Sequence, residues 1–254
     1  MTDIDVTTSD GVATVVIDRP PVNAITLAHY ARLGEIFADL GTSFDVNCVI
    51  LTAAGTRAFC AGLDLHEFRD ARVEDDSRRA EIVRATFAAI RGCQVPVIAA
   101  VNGAARGAGT ALATVSDIRI ASDLSSFGMP EIDIGRCGGG AHLGRLIGQG
   151  ALRRMFFTGQ PVDAREAYRI GLVDEVVPAE ELMTAAGRLA AVIAAKSPLG
   201  LRIGKEALNA VEFMEMEHGY AVEQQHSTRL MATADAREAT RATIEKRPPV
   251  FLGR

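Results

Sequence analysis

The stretch PVIAAVNGAARGAGTALATVSD, residues 96–117, decides the fold class. With Val95 it opens on a run, 95–101, that is apolar on both faces, which predicts a strand buried from both sides. Gly and Ala then dominate, and a helix is expected to begin near Ala108. A strand that passes into a helix is the building unit of an α/β fold. Residues this small let another backbone or a ligand approach closely. The first amides of such a helix lack intrahelical acceptors and sit at the positive end of its dipole, where they can stabilise an oxyanion. On its own a small-residue helix is more often just tightly packed.

Outward from this stretch, short β-branched runs at residues 12–17, 48–52 and 118–121 read as further strands, each bounded by Gly, Pro, Asp or Asn. Between them residues 26–40 and 77–91 carry helical period. Beyond Asp123 the strand signals thin out. From Ala179 the pattern is helical almost throughout, over 179–196, 198–210 and 211–232. A last helix is announced by Asp235 as its cap, with Glu238 three residues on in a box-like arrangement. The expected division is a core over residues 1–196 and a helical region over 197–254.

The chain of 254 residues, 48% hydrophobic, is long enough to bury a sizeable core. A net charge of -5 without any long run of like charge gives no footprint for nucleic acid or an anionic membrane. No apolar run reaches the roughly 18 residues needed to span a bilayer, and the N-terminus has no basic patch followed by an apolar stretch. Cys48, Cys60, Cys93 and Cys137 show neither metal-ligand spacing nor a redox pair, so each is expected to pack as a small hydrophobe. A reducing, cytoplasmic location follows as the expectation.

A second corner, AFCAGLDL over residues 58–65, again sets Ala and Gly just before a helix start, with Asp64 as the cap. Two such corners could supply two donors to one oxygen. Together with DRPPVNAI at residues 18–25, they resemble, in order and spacing, the enoyl-CoA hydratase/isomerase (crotonase) family. FGMPEIDIG at 127–135, TGQPVDAREAYRIGLVDEVVP at 158–178 and IEKRPPVF at 244–251 extend the likeness over most of the chain.

The resemblance implies a crotonase-like α/β spiral of ββα units with a C-terminal helical oligomerisation region that builds a homotrimer or a dimer of trimers. It implies an acyl-CoA thioester as ligand. No separate cofactor or metal is implied, since coenzyme A is part of the substrate. The backbone N–H groups of Ala61 and Ala108 would form the oxyanion hole; the family commonly has Gly at the second position, and Ala keeps the amide provided its φ is negative. Pro21, Val22, Asn23, Ala24, Ala61, Gly62, Leu63, Asp64 and Leu65 resemble the walls around adenine and pantetheine. Arg57 and Lys246 resemble contacts to the CoA phosphates, with the lysine reaching in from a neighbouring subunit; composition alone would leave both as solvated surface charge.

Family hydratases hold a water between two glutamates. In this register the second falls on Glu131 and the first on Ala111, which transfers no proton. A single carboxylate suits a double-bond shift, in which Glu131 takes a proton from one carbon and returns it to another. Isomerisation is therefore the expected reaction, hydration the runner-up, and a non-catalytic acyl-CoA-binding protein a third reading. The dienoyl-CoA isomerase variant is disfavoured because its further acidic residue falls on Gly139. Asp133 is expected to be structural. The segment 136–142 departs from the family text; within it His142 reads as an ordinary residue near a helix start rather than a second acid/base. RNA binding, known for one family member, would need a lysine-rich helix, and 77–91 carries arginines and Glu81 but no lysine.

Overall fold

A computed structural model of the chain describes residues 3–69 and 72–253. The four apolar runs become strands of a six-stranded sheet: β1 (Ile4–Ser9), β2 (Val12–Ile17), β3 (Cys48–Ala53), β5 (Val97–Val101), β7 (Ile118–Ser122) and β10 (Glu175–Val177), in that spatial order, of which β1 and β10 were announced by no run. Only β1 and β2 pair antiparallel; the rest of the sheet is parallel. A smaller sheet orders β4 (Ala58–Cys60), β6 (Ala104–Arg106), β8 (Ser126–Gly128) and β9 (Val162–Asp163), with β4, β6 and β8 parallel. The chain therefore leaves a long strand, adds a short one and continues into helix, first through β3 and β4, then β5 and β6, then β7 and β8. This is the expected spiral of ββα units. Sequence pattern reveals the long buried strands; it misses β1, whose residues are mostly exposed, and three-residue strands such as β4, β6 and β8, which are too short to show periodicity.

The helices are α1 (Leu27–Thr42), α2 (Leu65–Arg69), α3 (Asp76–Arg91), α4 (Ala108–Val115), α5 (Gly140–Leu143), α6 (Gln149–Thr158), α7 (Ala164–Arg169), α8 (Leu182–Ala194), α9 (Pro198–Val211), α10 (Met216–Met231) and α11 (Ala234–Glu245). Helix α1 buries Tyr30, Leu33, Ile36 and Phe37, a spacing that makes one continuous face. Fully burying a side chain the size of Leu33 or Phe37 stabilises by about 2 kcal/mol each. Strand residues Val49, Leu51, Val97 and Ala99 join that core, while Ile50, Ile98 and Ile120 on the opposite face are covered by Leu182, Ala185, Ala186 and Ala190 of α8. Helices on both faces explain why these strands read as apolar throughout.

Helix α9 is fastened to this frame by two buried cations. Lys205 Nζ donates to the Val95 carbonyl (3.0 Å) and to Asp117 (2.6 Å), and Arg202 reaches Gln94 (3.1 Å). Two sequence expectations need correction here. The helix expected over 211–232 begins only at Met216, because the Glu215 side chain accepts the N–H groups of Glu217 and His218 and so restarts the chain. Helix α11 is capped by Thr233, whose side chain accepts from Ala236 N. Asp235 is instead 1% exposed and accepts from Leu252 N (2.8 Å) and Ser197 Oγ (3.0 Å), and Glu238 clamps Arg247 (2.6 Å) and Val250 N (3.0 Å). Both carboxylates serve the tail rather than a capping box. Among the described residues no helix is long and apolar enough to cross a membrane.

Candidate active site

The parallel register of the small sheet brings three chain corners to one edge. Cys60 pairs with Ala105 and Arg106 pairs with Gly128, so the segments leaving β4, β6 and β8 emerge side by side. The first is Ala61–Gly62–Leu63, the second Gly107–Ala108 and the third Met129–Pro130–Glu131. The corners are locked together by Gly107 N donating to the Gly128 carbonyl (2.9 Å) and by the Thr110 hydroxyl 2.9 Å from the same oxygen. Close approach requires the glycines: a Cβ on Gly109 would stand 2.1 Å from the Cys60 carbonyl oxygen.

At the first corner the segment Val22–Ile25 runs alongside. Ala61 N donates to the Val22 carbonyl (3.0 Å), Ile25 N to Gly62 O (2.9 Å) and Asp64 N to Ile25 O (2.9 Å). The Ala61 amide is thus engaged within the fold, which corrects its assignment to the oxyanion hole. Gly62, at φ +101°, turns the chain so that Ala61 and Leu63 present their amides in different directions. Leu63 bridges with Ile25 in parallel fashion, so its own N–H points away from that neighbour and has no hydrogen-bond partner among the described residues. At the second corner Ala108 opens α4 with the expected negative φ, and its N–H is one of the helix's unpaired amides.

Leu63 and Ala108 line one wall of a cavity of about 280 Å³. Leu27, Val83, Phe87 and Ala111 add apolar wall; Tyr30, Arg79, Arg84, Asp76, Arg136 and Glu131 bring polar groups. Arg136 pairs with Asp76 (2.9 Å), and Arg79 lies 3.7 Å from Glu67. Glu131 sits in a one-turn 3-10 segment begun by Pro130, with its carboxyl packed against the start of α4. A Cβ on Gly107 would come 2.9 Å from Glu131 Oε1, and Glu131 Oε2 is buried without a hydrogen-bond partner among the described residues. Burial raises the Glu131 carboxyl above the ordinary glutamate value. The expected gap at Ala111 is real: its Cβ lies 3.8 Å from where a Cβ on Gly139 would stand, and no second carboxyl faces Glu131 from that position.

Of the sequence-derived site residues, Leu63, Ala108 and Glu131 meet in this cavity. Asn23 is buried and pins the corner, its amide donating to the Ala54 (3.0 Å) and Ala58 (2.8 Å) carbonyls. Gly62 is also buried, so neither residue offers a side-chain wall to a ligand. Asp64 caps α2 through His66 N (2.9 Å), as expected, and Arg19 Nη2 donates to it at 2.6 Å, which holds its carboxyl below the ordinary range. Pro21, Leu65, Arg57 and Lys246 are exposed, and Val22 and Ala24 half-buried. Asp133 packs against the Gly159 turn, consistent with a structural part. His142 stacks edge-on against Phe87 (5.3 Å between centroids) outside the cavity lining, and burial lowers its imidazole pKa further. Cys137 is exposed and edges the cavity, unlike the buried Cys48, Cys60 and Cys93, so one thiol departs from the expected packing.

Sequence reasoning missed Tyr30 and Arg79. Tyr30 sits at a buried position of an amphipathic helix, a place that reads simply as core. Its ring is 1% exposed, yet its hydroxyl makes no hydrogen bond to any described residue. Burial pushes the phenol far above its ordinary value, with Cys60 and Glu131 adding to this and Arg79 opposing it; Tyr30, Arg79 and Glu131 all line the same cavity.

The model of the enoyl-CoA hydratase/isomerase family matches residues 7–254. A Mycobacterium tuberculosis relative, a (7aS)-7a-methyl-1,5-dioxo-2,3,5,6,7,7a-hexahydro-1H-indene-carboxyl-CoA hydrolase, is 39% identical over 94% of this chain and 97% of its own. A short-chain-enoyl-CoA hydratase of Clostridium acetobutylicum is 35% identical over 93% and 92%. The crystal structure of an enoyl-CoA hydratase from Bacillus anthracis superposes with a TM-score of 0.95 at 33% identity, covering both chains completely. With the spiral of ββα units, the small-residue corners and these likenesses together, the chain belongs to the enoyl-CoA hydratase/isomerase family and is an acyl-CoA enzyme of the crotonase fold.

Proposed function

We propose that this enzyme holds an acyl-CoA thioester oxygen between the Leu63 and Ala108 N–H groups and uses Glu131 alone to shift a double bond along the acyl chain. The observation that carries this is the half-buried Glu131, its Oε2 buried and unpartnered, in a cavity where Ala111 supplies no second acid. Ionised Glu131 would take a proton from the α-carbon of a 3-enoyl thioester. The released electron pair spreads onto the thioester oxygen, where the two amides stabilise the enolate. Glu131 then returns the proton at the γ-carbon and the pair moves back, leaving a 2-enoyl thioester. Hydration also needs a base to activate water while an acid protonates carbon, a division of labour that one carboxyl serves poorly.

A second reading, hydrolysis of an oxo-acyl-CoA, is favoured by the name of the M. tuberculosis relative. In either reading exposed Arg57 would meet the CoA phosphates, and Lys246 would do so from a neighbouring subunit of a trimer. The test is to incubate the protein with 3-enoyl-CoA and 2-enoyl-CoA and separate isomer, hydroxyacyl and acid products by chromatography. Glu131→Gln is expected to slow isomer formation by about 100-fold or more. Full activity in Glu131→Gln, or inertness of the wild type toward both substrates, overturns the proposal.

A further inference from the structure

The acyl cavity is not uniformly greasy. Its walls include the Tyr30 phenol and the Arg79 side chain, the latter only 12% exposed. A plain hydrocarbon chain would fill this space while leaving the Tyr30 hydroxyl dry, since no described residue accepts its proton. Covering a hydroxyl without giving it an acceptor is costly, so a ligand that brings an acceptor is selected over one that does not. A phenol held neutral by burial is a donor suited to an uncharged oxygen. Of the three arginines in the lining, Arg79 lies within ion-pair distance of Glu67 and Arg136 of Asp76, so these two are already balanced by carboxylates of the protein itself.

Resting on the acyl-CoA reading above, we infer that the cavity receives a second carbonyl oxygen on the acyl group. The substrate class would then be an oxo-acyl-CoA, with Tyr30 as the hydrogen-bond donor and Arg79 as a supporting charge.

The experiment is titration calorimetry with hexanoyl-CoA, its β-, γ- and δ-oxo derivatives, and adipoyl-CoA, on wild type, Tyr30→Phe and Arg79→Gln. At least one oxo derivative is expected to bind about tenfold more tightly than hexanoyl-CoA, and Tyr30→Phe to bring that ratio to about one. Tyr30→Phe keeps the buried ring, and the Thr86 hydroxyl bonds the Tyr30 carbonyl (2.7 Å), which the substitution leaves in place. Arg79→Gln, an independent variant on α3, is expected to lower the ratio about threefold. Equal binding of oxo and plain chains, or a ratio that survives Tyr30→Phe, overturns the inference while leaving the acyl-CoA reading intact. Adipoyl-CoA binding more tightly than every oxo derivative overturns the assignment to an uncharged oxygen. Failure of every thioester to bind overturns both.

Discussion

Glu131 couples chemistry to stability. Burial raises its folded carboxyl above the ordinary value, so the folded protein holds this proton to higher pH than the unfolded chain does. The base form needed for α-proton removal therefore accumulates at higher pH than it would for an ordinary glutamate. The acid limb of the kcat/KM profile for 3-enoyl-CoA should be shifted upward in the same sense and disappear in Glu131→Gln. Stability moves in the opposite sense. The buried carboxylate costs nothing below the unfolded pKa and destabilises once pH passes the folded one, so Glu131→Gln should melt higher than wild type in mildly alkaline buffer, with the gain fading on acidification. Thermal unfolding of the two proteins across pH checks this, and a gain that grows toward acid would contradict it. At this scale Glu131 and Ala111 are legible in the sequence, because motif register places them. The choice of Leu63 over Ala61 is not, because it depends on which way Gly62 turns the peptide. Nor is Tyr30, whose role depends on a cavity assembled from distant segments.

At the level of elements, the site depends on α4 lying almost in contact with the end of β4. Gly109→Ala would drive a methyl carbon into the Cys60 carbonyl and should destabilise by about 1–3 kcal/mol or more, measured by denaturant unfolding. If the protein still folds, activity should fall more than stability, since the shift moves the Ala108 amide. The long buried strands β2, β3, β5 and β7 and helices α1, α3, α4, α8 and α9 follow from period and punctuation, and their observed ends lie close to the expected ones. What pattern missed was governed by contacts across the fold. The short strands β4, β6 and β8 exist because a register is imposed on them by one another. Thr233 caps α11 because Asp235 is drawn inward by the tail's amides. Asp235→Ala should therefore loosen residues 252 and 253 and cost about 1–3 kcal/mol, with faster amide exchange confined first to the tail.

Over the whole molecule, the helices that follow the core are tied to it by Lys205 and Arg202. Asp117→Asn would leave the Lys205 ammonium, only 6% exposed, without its charge partner, and should cost about 3 kcal/mol, the low end for a broken buried pair because Asp117 is itself partly open to water. Large apolar side chains, among them Phe213, Met216, Tyr220, Met231 and Ile244, stand exposed on and beside α10 and α11. Sedimentation at micromolar concentration is expected to give a trimer or a pair of trimers that covers them; a monomer at all concentrations would remove the neighbouring-subunit role given to Lys246. The proposed oxyanion grip would have a different kind of permanence from all of this. It is made of peptide N–H groups, which every residue but proline carries, so side-chain mutation at Leu63 or Ala108 does not delete it. Glu131 and Ala111 are each one substitution from another chemistry. A lineage of such proteins is thus free to exchange one reaction for another while inheriting the same hold on the thioester, and the carbonyl clasp outlasts any particular proton donor.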